Sequence, residues 1–196
     1  MTDPATAGVV LGDDGLRRCP WGDSPQDYRR YHDTEWGRPI RGDDPLFERL
    51  SLEAFQAGLS WLTILRRRDG FRAAFSDFDV HLVAEYDQAD VERLLDDSGI
   101  IRHRGKIEAV IGNARILRDW QQAEGAEVLD ALVWSFAEAS DGPRTMADIP
   151  TETHASRTLS GELKLRGWRF LGPTSAYAAL QAAGVVNDHL EDCHAR

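Results

Sequence analysis

The sequence predicts an all-α fold. Apolar residues recur at three- and four-residue intervals along most of the chain, runs of alternating β-branched residues are missing, and helix-starting and helix-ending residues punctuate the pattern. At 196 residues the chain is one generous domain with room for a sizeable core. Residues 1–15 are small, polar or acidic and carry no basic stretch ahead of Val9, Val10 and Leu11, so they are expected to form a loose tail and not a targeting peptide. Residues 16–196 then form the single domain.

Within that domain, Asp44 is placed to cap a helix that has Pro45 at its first position and Gly58 just past its end. A second helix runs from about Asp90 and ends at Gly99. Ile107, Val110, Ile111 and Ala114 step along a third, and Leu129, Leu132, Val133 and Phe136 along a fourth. Ser156 and Gly167 bracket a fifth, and Pro173 opens a sixth directly after Gly172. The Gly-containing turn between these last two would present free backbone N–H groups at a helix N-terminus, where an anion is favoured, although most such turns only reverse the chain.

The net charge of −10 argues at first against a polyanionic partner. Its distribution argues otherwise. Residues 98–118 hold five basic side chains (Arg102, Arg104, Lys106, Arg115 and Arg118) against Glu108 alone, whereas residues 119–163 hold nine acids and two bases. Arg66, Arg67 and Arg68 form another cluster, and Lys164, Arg166 and Arg169 a third. Either these are solvated helix faces or they line a basic cleft on an acidic body.

Two cysteines, one near each end, are each accompanied by a histidine: Cys19 with His32, and His189 with Cys193. Thiolate and neutral imidazole are zinc ligands, and four protein ligands make a closed, structural site. On a helix, His189 and Cys193 would leave one face together. Such a clip would close a loop of about 170 residues and constrain the unfolded chain as a cross-link does. A Cys19 to Cys193 disulfide and two unrelated buried thiols stay open beside it, and His194 is a spare ligand. The cysteine usage and the lack of a long apolar span place the chain in the cytoplasm, away from membranes.

One carboxylate sits where an apolar side chain is expected. In the helix opened by Pro45 the stripe is Leu46, Leu50, Ala54 and Ala57, and Glu53 lies on or beside it. A stripe-edge Glu can bend out to solvent; a buried one needs a partner or a task. Tyr31, Trp36 and Trp61 flank the helix in sequence and can wall a pocket around it, or simply join the core.

Five blocks closely resemble the bacterial DNA-3-methyladenine glycosylase I family, in order and at that family's spacing over residues 17–193. They are Cys19-Pro20-Trp21; Tyr31-His32-Asp33-Thr34-Glu35-Trp36-Gly37; the stretch from Leu52 through Glu53, Gly58 and Leu59 to Trp61; the stretch from Ile101 to Ile107; and Val186-Asn187-Asp188-His189 with Cys193. The resemblance implies a helix-hairpin-helix DNA glycosylase fold, with the hairpin region at about residues 156–184 and one structural zinc per chain held by Cys19, His32, His189 and Cys193. It further implies base-excision repair: hydrolysis of the N-glycosidic bond of 3-methyladenine in alkylated double-stranded DNA, the nucleotide being flipped into an aromatic and carboxylate pocket. Glu53, Tyr31, Trp36 and Trp61 fall on the base-pocket positions, with Glu53 the catalytic candidate. Gly58 and Leu59 fall on a wedge that fills the gap left by the flipped nucleotide. Gly167, Gly172 and Thr174 fall on the phosphate-gripping hairpin, where Pro173 offers no N–H, leaving Gly172, Thr174 or Ser175.

The lysines are Lys106 and Lys164, neither inside the hairpin, so a monofunctional enzyme with a water nucleophile is expected and not a Schiff-base lyase. Asp188, the acid next to His189, is expected to orient that ligand or to cap the last helix. A monomer suffices for all of this. The rivals are a damage-binding protein without hydrolysis, a zinc-stapled interaction module and a metallohydrolase.

Overall fold

The structure is a computed structural model that describes residues 8–137 and 142–196. Its described residues form a two-stranded hairpin, β1 (Val10–Leu11) and β2 (Arg17–Arg18), followed by ten α-helices. In order these are α1 (Gln26–Thr34), α2 (Asp43–Gln56), α3 (Trp61–Leu65), α4 (Arg68–Ala74), α5 (Val80–Ala84), α6 (Gln88–Asp96), α7 (Arg104–Glu124), α8 (Val128–Trp134), α9 (His154–Leu165) and α10 (Pro173–Ala182). The architecture is mostly helical, as periodicity predicts.

The hairpin corrects part of the expected tail. Residues 1–7 lie outside the described set, but residues 8–15 are tied down through Asp14, whose carboxylate accepts from the buried Arg18 guanidinium at 2.7 Å. A two-residue strand leaves no alternating pattern long enough to read in a sequence. Helix starts also differ. Gly42, not Asp44, is the N-cap of α2, and Asp44 accepts instead from the Val80 amide. Thr153, not Ser156, caps α9, with Ser156 as the return partner of a capping box. Asp87 and Asp90 form the same device at the head of α6. In both helices the first member of a polar pair three residues apart, Thr153 or Asp87, takes the cap and the second closes the box.

The core gathers where α2 and α7 meet. Leu46, Phe47, Leu50 and Phe55 of α2 pack with Ile107, Val110, Ala114 and Leu117 of α7, and Leu159, Leu163 and Leu180 close it from α9 and α10. Phe71, Phe75 and Phe78 extend the cluster, with the Phe55 and Phe71 rings 4.6 Å apart. Each such side chain contributes about 1.5–3 kcal/mol on burial. The core therefore fixes α2, which carries Glu53 on one side and ends at the turn of residues 57–60.

The C-terminal ends of α9 and α10 are closed by the same motif. Gly167, at φ +98°, donates to Lys164 O while Trp168 donates to Leu163 O, ending α9. Gly184, at φ +71°, and Val185 repeat the pattern at the end of α10. A Cβ on Gly184 would lie 2.7 Å from the Gly37 carbonyl, so this glycine also lets the end of α10 press against residues 37–39.

Candidate base-binding site and metal cluster

Cys19, His32, His189 and Cys193 meet although the chain separates them by up to 174 residues, and all four donor atoms lie within 4.8 Å of one another. The arrangement can hold a metal ion. Cys193 Sγ is 3.5 Å from His32 Nε2 and 3.6 Å from His189 Nδ1, and Cys19 Sγ is 3.9 Å from His189 Nδ1. A tetrahedral ion with ordinary Zn–S and Zn–N bonds would separate its ligands by about 3.3–3.8 Å. Both cysteines are free thiols, and residues 188–193 run as turns, so the expected shared helix face is replaced by an irregular loop that delivers both ligands.

The outer atoms of the rings set the inner ones. His189 Nε2 faces the Trp36 carbonyl at 3.0 Å; a carbonyl only accepts, so the ring donates there and turns a lone pair inward. His32 Nδ1 likewise meets Asp33 Oδ1 at 2.8 Å. Burial would raise the Asp33 carboxyl, but Arg18, His32 and His194 outweigh it and hold it well below the usual carboxylate range. The hydrogen bond between the two cysteines raises the Cys19 thiol and lowers that of Cys193. Space around the rings is taken up by glycines: a Cβ on Gly22 would stand 2.3 Å from the His32 ring, and one on Gly37 would stand 3.0 Å from His189. Asp188 does not orient His189, nor does it cap α10; its Oδ2 accepts from the Tyr177 hydroxyl and from Gln181 Nε2. His194 binds Asp33 instead of joining the four.

Beside this cluster opens a cleft of about 270 Å³. Its walls include Trp21, Tyr28, Tyr31, Trp36 and Trp61, and Glu53 lies at its base with only 4% of its surface exposed. All four residues singled out as base-binding therefore line one cavity. Trp21 and Trp36 meet edge to face at 5.0 Å, and Tyr31 and Trp61 lie 5.6 Å apart. Burial pushes the Glu53 carboxyl up to about 7, with the Arg49 charge opposing it, and Oε2 has no hydrogen-bond partner among the described residues. A buried carboxylate oxygen left without a partner is costly unless something arrives to use it.

Arg49 is the site residue that sequence reasoning missed. Only 6% exposed, it lies one turn before Glu53, with Nη1 3.8 Å from Oε1, and it donates to the Tyr31 hydroxyl at 3.2 Å. Its guanidinium lies 4.9 Å from the Trp61 ring centre. The signal was the i, i+4 spacing of Arg49 and Glu53 on α2. Trp21 and Tyr28 were also absent from the expected pocket.

The proposed wedge and hairpin residues lie at exposed turns. Gly58, at φ +84°, permits the reversal after α2, and Leu59 at its tip is 43% exposed. Lys106 donates to the Phe55 and Ala57 carbonyls at 2.9 and 2.7 Å, capping the C-terminus of α2 from α7. Gly172 is the N-cap of α10, and Thr174 is exposed in its first turn, ahead of the first intrahelical bond from Ala176 N to Gly172 O. Asn113 of α7 clamps the hairpin by donating to Arg169 O and accepting from Arg169 N, and Ser160 donates to Leu171 O.

The basic runs do not form one cleft. Lys106 is buried in its capping role, Arg104 pairs with Glu92, Arg115 binds the Ala84 and Tyr86 carbonyls, and Arg118 pairs with Glu85. Arg66 and Arg68 pair with Asp27 and Glu35. Of these runs, Arg102, Lys164 and Arg169 are exposed and make no ion pair among the described residues, and Arg17, Arg30 and Arg38 elsewhere on the surface are equally without one.

Comparison with known proteins agrees with this geometry. The family described as Methyladenine glycosylase matches residues 21–196. DNA-3-methyladenine glycosylase 1 of Escherichia coli (strain K12) is 47% identical over 181 residues, covering 91% of this chain and 96% of that protein. A crystal structure of 3-methyladenine DNA glycosylase I superposes with a TM-score of 0.85 at 45% identity, over 90% of this chain and 98% of the other. The 3-methyladenine DNA glycosylase I of Staphylococcus aureus, solved to explain 3-methyladenine recognition, gives 0.84 at 35% identity over 91% and 95%.

Proposed function

The chain belongs to the methyladenine glycosylase family, glycosylases that hydrolyse N-glycosidic bonds, and from that premise we propose that it excises 3-methyladenine from alkylated double-stranded DNA. The observation that carries the substrate is Glu53: a buried carboxylate with an unpartnered oxygen, at the base of an aromatic-walled cleft.

Methylation at N3 makes the base cationic while it is attached to the sugar. When the bond from nitrogen to C1′ breaks, the base keeps the electron pair and leaves neutral, and positive charge passes to the sugar. A water oxygen then bonds to C1′ and loses a proton, leaving an abasic site. Little protonation of the leaving group is needed, so selective binding carries much of the catalysis. The target is reached by flipping it out of the duplex, which costs a few kcal/mol and less for a poorly paired base. In the cleft, ring faces of Tyr31, Trp36 and Trp61 attract the cation, by about 0.5–2 kcal/mol each. Glu53 complements its charge and accepts from its edge. Arg49, already donating to Tyr31, leaves that hydroxyl's own proton free to point at the base.

Gly58 and Leu59 fill the gap in the duplex, and Gly167, Gly172 and Thr174 hold a phosphate at the hairpin. With no lysine in the cleft, hydrolysis is monofunctional. The donor set, the spacing and the outer-atom hydrogen bonds fit zinc at Cys19, His32, His189 and Cys193. When bound there it supplies a cross-link between the chain ends and no chemistry at the sugar. No helix among the described residues is long and apolar enough to cross a membrane. The enzyme acts as a monomer in the cytoplasm.

The test is chromatography of bases freed from methylated duplex DNA. Release of 3-methyladenine, with strand breaks appearing only after alkali, supports the proposal; strand cleavage without alkali would overturn the monofunctional reading.

A further inference from the structure

We infer that Gln181 selects the base by holding a fixed carbonyl acceptor for the exocyclic amino group of adenine, with Asp188 as its positioning residue. The inference rests on reading the cleft as the base pocket. Tyr177 and Gln181 are four residues apart on α10, so both side chains leave one face of the helix and reach the buried Asp188. Asp188 Oδ2 accepts from the Tyr177 hydroxyl and, at 2.8 Å, from Gln181 Nε2.

An amide's oxygen and nitrogen have nearly the same shape, but a carboxylate has no proton to give, so the group turned toward Asp188 is the NH2. Tyr177 does not reverse the pattern, because burial first and its bond to Asp188 second keep its proton in place. Oε1 is thereby the amide atom left without a hydrogen-bond partner among the described residues, and Gln181 is a wall residue of the cleft.

N3-methylation gives adenine and guanine the same positive charge, so charge complementarity at Glu53 does not separate them. Their exocyclic groups do. Adenine offers two N6–H donors, whereas guanine offers the O6 acceptor. With Glu53 and Gln181 both presenting lone pairs, N6 finds two acceptors and O6 finds none. A site built to hydrogen-bond one group discriminates against an analogue that leaves its buried polar atoms unpaired.

The experiment uses the whole protein and duplex DNA methylated with dimethyl sulfate, which carries 3-methyladenine and 3-methylguanine together. The readout is the ratio of their initial release rates, which is indifferent to how much of each sample is folded. Wild type should favour 3-methyladenine. Gln181→Met should lower the ratio about tenfold, the worth of one such hydrogen bond. Asp188→Asn can give a proton to Gln181 and turn its amide about, so it should lower the ratio with Gln181 intact. An unchanged ratio in Gln181→Met, or a wild type that releases both bases equally, overturns the inference while the pocket stands. Release of neither base by wild type overturns the pocket reading itself.

Discussion

Glu53 links most of the chemistry to a single titration. Its folded value of about 7 stands above the ordinary 4.5, so the native state holds this proton between those limits while the unfolded chain has lost it. Stability should therefore fall as pH rises from about 4.5 to about 7, by about 3 kcal/mol, and Glu53→Gln should remove that slope in urea melts. Base release should move the opposite way: kcat/KM rises with pH through about 7 as the carboxylate ionises, and Glu53→Gln loses this limb along with roughly 10- to 100-fold in rate. Arg49 opposes burial at that carboxylate, so Arg49→Gln should push the limb to higher pH, whereas Arg49→Lys keeps the charge and should restore part of it. Glu53 was legible because a carboxylate on an apolar stripe is conspicuous. Arg49 was not, since an arginine on a helix usually reaches solvent and an i, i+4 spacing from a glutamate is as common on a solvated face as on a buried one.

At the scale of elements, α7 is the spine that places both exposed turns. Lys106 near its start caps α2 just before Gly58, and Asn113 two turns later clamps the hairpin backbone. Lys106→Met should cost about 2–3 kcal/mol, read by denaturant unfolding, because charge-assisted bonds to the Phe55 and Ala57 carbonyls are lost. Leu59→Ala should leave stability unchanged and slow release from duplex DNA more than from single strands, since only a duplex has a gap to fill. Equal slowing on both would remove Leu59 from the wedge role. Periodicity located the long helices well. It missed what the lysine and arginines of residues 98–118 were doing, because the carbonyls and acids they satisfy come from α2, α5 and α6 and the segments after them, and charge counted along a chain says nothing of partners across a fold.

For the whole molecule, the Cys/His cluster joins residues 19 and 32 to residues 189 and 193 beside the wall that carries Tyr31 and Trp36. One zinc per chain is expected by elemental analysis, and chelation or Cys193→Ser should lower the melting temperature by several degrees while the folded fraction keeps its base selectivity. Loss of activity at undiminished stability would contradict a structural metal. That Cys19, His32, His189 and Cys193 come together could be read from the sequence because Cys and His are rare and chemically specific. The irregular loop at residues 188–193 and the Asp188 partners could not, since they depend on where α10 ends. At every scale the proposed chemistry turns on a charged, buried Glu53 reading a cationic base. The direct test is single-turnover release of 3-methyladenine from methylated duplex DNA by wild type and Glu53→Gln across pH 5–9. Release by wild type that rises through about pH 7, with a slow and pH-flat variant, is the predicted result; wild-type turnover in Glu53→Gln, or no release from folded, metal-loaded wild type, would contradict it.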